Sequence, residues 1–213
     1  MTENIDEIGI ESGNSESFTK FVEEYKNKAY SLSLRILKNP QEAEDSLQES
    51  FLKLYKSIRE KKFEKKSKMS TYFYTIVYNT ALDNYKKTRA KSFNIFSFDV
   101  NEAFFKEGDE LFRQNDEEKI LDEIRLKYNS ETPENKLVQK EISEVIKKYL
   151  LTIPEHYSVV LNMFYINELS YDEISGILKL PVGTVKNRIF RAKEKLKEII
   201  LKKYSLKEVL MYV

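Results

Sequence analysis

The chain has 213 residues, of which 41% are hydrophobic and 33% charged, with a net charge of +1, a balance typical of a helix-rich protein with one large domain or two small ones. The 5 glycines and 4 prolines are too few for a turn-rich all-β fold, and the absence of cysteine excludes disulfides and thiolate metal sites. The single histidine argues against a histidine metal cluster or a Ser-His-Asp triad, so we expect a non-enzyme without a cofactor. No apolar run approaches the roughly 20 residues of a membrane span, so we expect a cytoplasmic protein.

The N-terminal part of the chain predicts a short tail followed by helices. Residues 1–14 are polar and acidic, and a disordered tail is expected there. Apolar residues then follow helical spacing from a start near Ser15 or Ser17. Asn39 and Pro40 end this first helix and begin a second one, with Asn39 as the N-cap and Pro40 at the first helical position.

The second helix carries an acidic face. Spacings of three and four residues place Glu42, Asp45 and Glu49 on the same side of the helix. One interpretation is a solvated acidic face that favours the helix N-terminus. The other is a docking strip for a basic partner surface. The spacing alone leaves both open.

A third helix, capped by Ser70 and running to about Lys87, lies in a basic region. Residues 52–91 hold 12 Lys and Arg against 3 Asp and Glu. Aromatic rings beside such a cluster suit unpaired nucleic acid, because bases stack on rings and cations neutralise phosphates. The alternative is that the tyrosines are core residues. Three tyrosines of this helix cannot all face one small core: Tyr72, Tyr74 and Tyr78.

The following region predicts a linker and then a second helical domain. Residues 92–133 lack sustained periodicity and place phenylalanines among acidic residues. Apolar spacing resumes after Pro133, with one helix near residues 137–149 and another from Pro154 to about Asn167. The predicted boundaries are a disordered tail at 1–14, an N-terminal domain at 15–91, a linker at 92–133, a C-terminal domain at 134–201 and a tail at 202–213.

The C-terminal domain contains a helix-turn-helix pattern. Ser170 and Glu173 form a predicted capping box, and Pro181 restarts the chain after a short apolar helix. In the second helix an apolar face leaves polar and basic side chains outward, within a segment, 179–203, that holds 9 Lys and Arg against 2 Asp and Glu. Such a helix has the dimensions and chemistry of a major-groove reader. The outward side chains are Thr184, Lys186, Asn187, Arg188 and Arg191.

Together these segments resemble bacterial RNA polymerase sigma factors of the extracytoplasmic-function type, in the sigma-70 family. The similarity covers two stretches, from Phe18 to Arg89 and from Ile153 to Ile200. The motifs that carry it are Glu44 to Phe51, Asn79 to Asp83, Ile153-Pro154-Glu155, Leu169 to Ile174, and Pro181 to Lys186. The resemblance implies an all-α protein with two small helical domains joined by a flexible linker, the C-terminal one containing the helix-turn-helix.

The resemblance also implies partners and site residues. Core RNA polymerase would bind through its clamp and flap, with residues 136–167 against the flap. Promoter DNA is the second partner and an anti-sigma factor a third, with no direct membrane insertion. The clamp-binding residues would be Glu42, Asp45, Gln48 and Glu49. The residues on the −10 element would be Tyr72, Asn79, Asp83, Lys86 and Lys87. The residues on the −35 element would be Thr184, Lys186, Asn187, Arg188 and Arg191.

Two positions depart from the family pattern. The tryptophan usual in the −10 helix is Tyr72, which offers a smaller stacking platform. The glycine common in the turn of the helix-turn-helix is Lys179. A lysine in a left-handed conformation costs about 1 kcal/mol or more, so an altered turn is expected.

The alternative function is a conventional operator-binding regulator, with a helix-turn-helix output domain and an N-terminal sensor or dimerisation domain. It predicts a folded ligand pocket within residues 15–90. A nucleic-acid enzyme is disfavoured, because acidic neighbours on one helix without converging ligands rarely hold Mg²⁺.

Overall fold

The computed structural model describes residues 9–10, 13–92 and 153–203, and within these ranges the chain is helical with no strand. This confirms the predicted all-α class. The helix predicted at 137–149, the linker beyond Ser92 and the tail beyond Lys203 lie outside the described residues. In the described ranges no helix is both long and apolar enough to cross a bilayer.

The first domain is built from three long helices that pack on one another. They are α1 (Ser15–Leu37), α2 (Pro40–Arg59) and α3 (Met69–Ser92). Asn39 caps α2 as predicted, its side-chain oxygen accepting from the backbone N–H groups of Gln41 and Glu42 at 2.9 and 3.2 Å. The prediction for α3 was wrong at both ends, because Ser70 lies inside its first turn and the helix continues past Lys87 to Ser92.

The second domain is built from shorter helices around the helix-turn-helix. They are α4 (Glu155–Leu161), which continues as a π-helical turn (Asn162–Ile166), α5 (Tyr171–Leu178) and α6 (Val182–Lys203). The predicted capping box is confirmed. The Glu173 backbone N–H donates to Ser170 Oγ at 3.3 Å, while the Ser170 N–H donates to the Glu173 carboxylate at 2.8 Å.

The turn of the helix-turn-helix keeps its left-handed residue although that residue is a lysine. Lys179 has φ 55° and ψ 43°, and its N–H donates to the Ser175 carbonyl. The hydroxyl of Ser175 in turn donates to the Leu180 carbonyl at 2.5 Å. The prediction that this turn is altered is therefore wrong. Local hydrogen bonds hold the geometry that a glycine would adopt without strain.

The two domains pack against each other. α1 contacts α4 and the π-helical turn, and α3 contacts α5. The buried apolar side chains form one continuous cluster that runs from Ile10 to Ala192. Ile10, predicted to lie in a disordered tail, is 2% exposed within this cluster. An apolar side chain next to a forming core gains by burial even when its neighbours in sequence are polar.

Candidate nucleic-acid interface

The acidic face of α2 is partly exposed and partly engaged within the first domain. Asp45 and Gln48 are exposed, whereas Glu42 and Glu49 are half-buried. Glu49 accepts hydrogen bonds from Lys53 at 2.9 Å and from the Asn84 side chain at 3.1 Å. The bond from Lys53 is the main reason why the pKa of Glu49 lies below its ordinary value.

Two exposed apolar residues continue this face, and sequence reasoning missed both. Leu52 is 70% exposed and Tyr55 is 41% exposed. The Tyr55 ring packs edge-on against Phe18 at 5.3 Å, and the Arg59 guanidinium carbon lies 5.9 Å from its centre. The signal was available, because Leu52 follows Asp45 by seven residues, two helical turns along the outward face. The face thus combines carboxylates with apolar surface.

A cleft of about 370 Å³ opens between α2 and α3. Tyr72 forms part of its wall, with its hydroxyl 2.6 Å from Ser57 Oγ and its ring 5.1 Å from that of Phe63. Side chains of both charges line the cleft, and the lysines outnumber the carboxylates by one: Lys53, Lys56 and Lys62 against Glu60 and Asp83. The other lining residues are Ser57, Ile76, Asn79 and Thr80.

The remaining −10 candidates lie on one side of α3. Asn79, Asp83, Lys86 and Lys87 are all exposed, and spacings of three and four place them on a shared face. Asn79 and Asp83 also line the cleft, so this face is continuous with the pocket beside Tyr72. The structure therefore brings the five predicted −10 residues to one surface.

The three tyrosines of α3 divide between two environments. Tyr72 faces the cleft, whereas Tyr74 and Tyr78 are 0% and 7% exposed. Burial raises the pKa of both buried phenols; the neighbouring Asn167 offsets part of this for Tyr74, and the charge of Arg188 does so for Tyr78. Both partners belong to the second domain. The tyrosines avoid crowding one small core because two of them face the other domain.

The predicted −35 residues are less open than the sequence indicated. Val185, Ile189 and Ala192 are buried, as the apolar face of α6 predicted. Lys186 is exposed, with its Nζ 5.6 Å from the centre of the Tyr171 ring. The other four predicted residues are half-buried instead of fully outward: Thr184, Asn187, Arg188 and Arg191. α6 packs on α4 and α5 of its own domain, and the charge of Arg188 also acts on Tyr78 of the first domain, a relation that helical spacing does not show.

Comparison with known proteins assigns each domain a counterpart. Residues 21–91 match the family described as Sigma-70 region 2, and residues 143–196 match Sigma-70, region 4. The chain is 34% identical over 189 residues to the ECF RNA polymerase sigma factor SigW of Bacillus subtilis, covering 89% of this chain and 91% of that protein. It is 30% identical over 185 residues to the ECF RNA polymerase sigma-E factor of Haemophilus influenzae, covering 87% and 88%.

Two solved structures share the fold at low sequence identity. CnrH in complex with the cytosolic domain of CnrY has a TM-score of 0.56 at 16% identity, covering 92% of this chain and 96% of that one. The sigma factor RpoE in complex with the anti-sigma factor NepR from Bartonella quintana has a TM-score of 0.54 at 16% identity, covering 88% and 98%.

Proposed function

Because the chain belongs to the extracytoplasmic-function sigma factors of the sigma-70 family, we propose that it binds core RNA polymerase through α2, opens −10 DNA with α3 and reads −35 DNA with α6. In this proposal the chain supplies recognition while the polymerase performs the chemistry, in the cytoplasm. The alternative of an operator-binding regulator has no support, since residues 21–91 match sigma region 2 where that alternative requires a sensor.

The observation that carries the proposal is the cleft between α2 and α3. A base extruded from the duplex needs an aromatic or apolar surface to stack on and cations for the flanking phosphates. Tyr72 supplies the ring. The positive charge comes from three lysines that are paired with carboxylates in this structure and would exchange those partners for phosphates: Lys53, Lys56 and Lys62. Stacking contributes about 1–3 kcal/mol per base, which offsets the few kcal/mol that unstacking costs.

The exposed face of α2 suits a protein partner. Leu52 and Tyr55 offer apolar surface for the centre of an interface, and Asp45 and Gln48 offer a polar rim. Polymerase docking on the clamp is the contact that the family resemblance implies for this helix. We therefore extend the predicted clamp-binding surface from its four polar residues to the apolar side chains up to Tyr55. The four are Glu42, Asp45, Gln48 and Glu49.

The second domain would act at the −35 element. Lys186, Arg188 and Asn187 lie on the second helix of the helix-turn-helix, which is the helix that enters the major groove in such motifs. Arg and Lys pair with guanine edges, and Asn pairs with adenine. Residues 136–167 remain the segment expected against the polymerase flap. An anti-sigma factor remains a further partner, as NepR is for RpoE from Bartonella quintana.

The test is run-off transcription with holoenzyme assembled from the full chain. We expect Arg188→Ala to lower transcription from a −35-dependent promoter by about tenfold, because a good side-chain pair with a base is worth about 1–3 kcal/mol. Lys195→Ala is the matched control: it removes a positive charge from the same helix, where Nζ lies 5.7 Å from the centre of the Tyr157 ring. The control should change transcription less than twofold. Unchanged transcription with Arg188→Ala would refute the groove assignment.

A further inference from the structure

The ring of Tyr72 is held at its far end by a hydroxyl of the neighbouring helix. The Tyr72 hydroxyl and Ser57 Oγ lie 2.6 Å apart, which is a hydrogen-bond distance. Ser57 is 8% exposed in the last turn of α2, and Tyr72 is half-buried in the first turn of α3. Because the serine is largely shielded from solvent, water competes weakly for this hydrogen bond. The bond therefore fixes the end of the ring relative to α2.

The same serine also anchors the loop that follows α2. The Lys62 N–H donates to the Ser57 carbonyl at 2.9 Å, and Lys61 between them is left-handed with φ 54°. This turn brings Phe63 back toward the start of α3, where its ring centre lies 5.1 Å from that of Tyr72. In the described part of the chain, Phe63 is not one of the residues that line the cleft. It therefore supports the Tyr72 ring from outside the cleft.

These two contacts restrict a side chain that would otherwise move. A tyrosine has two rotatable bonds before its ring, and a ring at the edge of an open cleft can turn away from a ligand. A ring that is already held in place loses less freedom when a base stacks on it. The tryptophan usual at this position in the family has no hydroxyl, so the bond to Ser57 belongs to the tyrosine of this chain.

We propose that Ser57 is a positioning residue for the −10 site, holding the Tyr72 ring where the extruded base stacks. This rests on the proposed function. Ser57 differs in this respect from Ser50, which is also buried on α2. The Ser50 hydroxyl donates to the Ser46 carbonyl at 2.7 Å, a bond that stays within the helix. The hydroxyl of Ser57 instead reaches across to α3 and meets the ring that forms the wall of the cleft.

Binding of a single DNA strand to holoenzyme assembled from the full chain tests the proposal. The probe is a fluorescent oligonucleotide with the −10 non-template strand of a promoter that the wild-type holoenzyme transcribes. We expect Ser57→Ala to weaken binding about fivefold, because a hydrogen bond of this kind changes an equilibrium about two- to tenfold. A set of probes that each lack one base locates the effect. The difference between variant and wild type should disappear when the stacked base is missing and persist when other bases are missing.

Three further variants show whether Ser57 acts through the tyrosine. In a Tyr72→Phe background, Ser57→Ala should cause no further loss of binding, because the hydroxyl that it meets is already absent. Ser57→Thr keeps a hydroxyl and should bind the strand within twofold of wild type. Ser50→Ala is the matched control, since it removes a buried hydroxyl from the same helix without touching Tyr72, and it should also bind within twofold. The affinity of each variant for core polymerase, measured in parallel, shows that α2 remains folded.

The outcomes separate this proposal from the proposed function. If Ser57→Ala binds the intact strand as tightly as wild type, the proposal is wrong. It is also wrong if Ser57→Ala weakens every probe equally, or acts as strongly in the Tyr72→Phe background, because the serine would then act on the fold and not on the ring. If the wild-type holoenzyme neither binds the strand nor transcribes, the proposed function fails instead.

Urea denaturation of the free chain tests the contact without DNA or polymerase. The effects of Ser57→Ala and Tyr72→Phe on the unfolding equilibrium should be less than additive, because either substitution alone removes the same hydrogen bond. Ser50→Ala and Tyr72→Phe should be additive, because these two hydroxyls do not meet. Additive effects of Ser57→Ala and Tyr72→Phe would show that the two side chains are not coupled, and the proposal would be overturned.

Discussion

At the scale of single residues, burial decides what a tyrosine can do. Tyr72 remains accessible in the cleft and can meet a base, whereas Tyr74 is fully enclosed between the domains. Spacing within α3 places Tyr72 and Tyr74 on opposite sides of the helix, but it does not show which side is buried. The distinction arises from the second domain, which covers Tyr74 and leaves Tyr72 open.

The buried phenol of Tyr74 makes stability depend on alkaline pH. Burial raises its pKa above the ordinary value of 10.0, so the folded chain keeps the proton while the unfolded chain releases it as pH rises. This stabilising contribution is complete below pH 10 and is lost above it. Between pH 9 and pH 11 we expect the wild-type protein to lose about 1 kcal/mol more stability than Tyr74→Phe. The reason is that one proton held only by the folded chain is worth about 1.36 kcal/mol per pH unit.

Urea denaturation of wild type and Tyr74→Phe at several pH values measures this effect. Tyr72→Phe is the control, since it removes the same hydroxyl from a partly exposed position in the cleft between α2 and α3. If the alkaline stability loss of Tyr74→Phe equals that of wild type, Tyr74 is not enclosed in the folded protein.

At the scale of elements, local signals in the sequence were reliable. The capping box of Ser170 and Glu173 and the Asn39 N-cap were predicted from residues three or fewer positions apart, and both form. The third helix was predicted less well at its ends, because its extension to Ser92 carries no comparable local signal. The exposure of Leu52 was not predicted, although the seven-residue spacing from Asp45 places both residues on the outward face of α2.

The turn between α5 and α6 stores strain that a substitution can relieve. Lys179 is exposed and has φ 55°, a conformation that costs an L-residue about 1 kcal/mol or more. We expect Lys179→Gly to raise the free energy of unfolding by about 1 kcal/mol, since glycine adopts this conformation freely. Chemical denaturation monitored by circular dichroism measures the change.

The neighbouring Gly176 provides a control in which glycine is replaced and not introduced. It lies inside α5, and a Cβ added there meets no atom within 4 Å. Gly176→Ala should therefore also stabilise, by about 0.5–1 kcal/mol, through the lower entropy of the unfolded chain. A loss of stability in Lys179→Gly would show that the lysine side chain contributes more than its backbone conformation costs.

At the scale of the whole molecule, the sequence predicted two domains but not their contact. Each domain follows from local periodicity, whereas the pairing of Glu168 with Lys28 joins residues 140 positions apart. Such contacts leave no trace in local spacing. The uneven charge distribution is a long-range signal in the sequence, because three acidic residues of the second domain pair with lysines of the first: Glu155, Glu168 and Glu173.

A shared core predicts cooperative unfolding of the whole molecule. The buried side chains of both domains form one cluster, so opening the contact would expose Tyr74 and Asn162, both 0% exposed, to water. We expect a single calorimetric transition for the free wild-type chain, with a van't Hoff enthalpy close to the calorimetric one. Glu155→Lys with Glu168→Lys should weaken the contact and split this transition into two, while Asp172→Lys should not. Two separate transitions in wild type, unchanged by the charge variants, would mean that the domains unfold independently and that their contact contributes little to the stability of either.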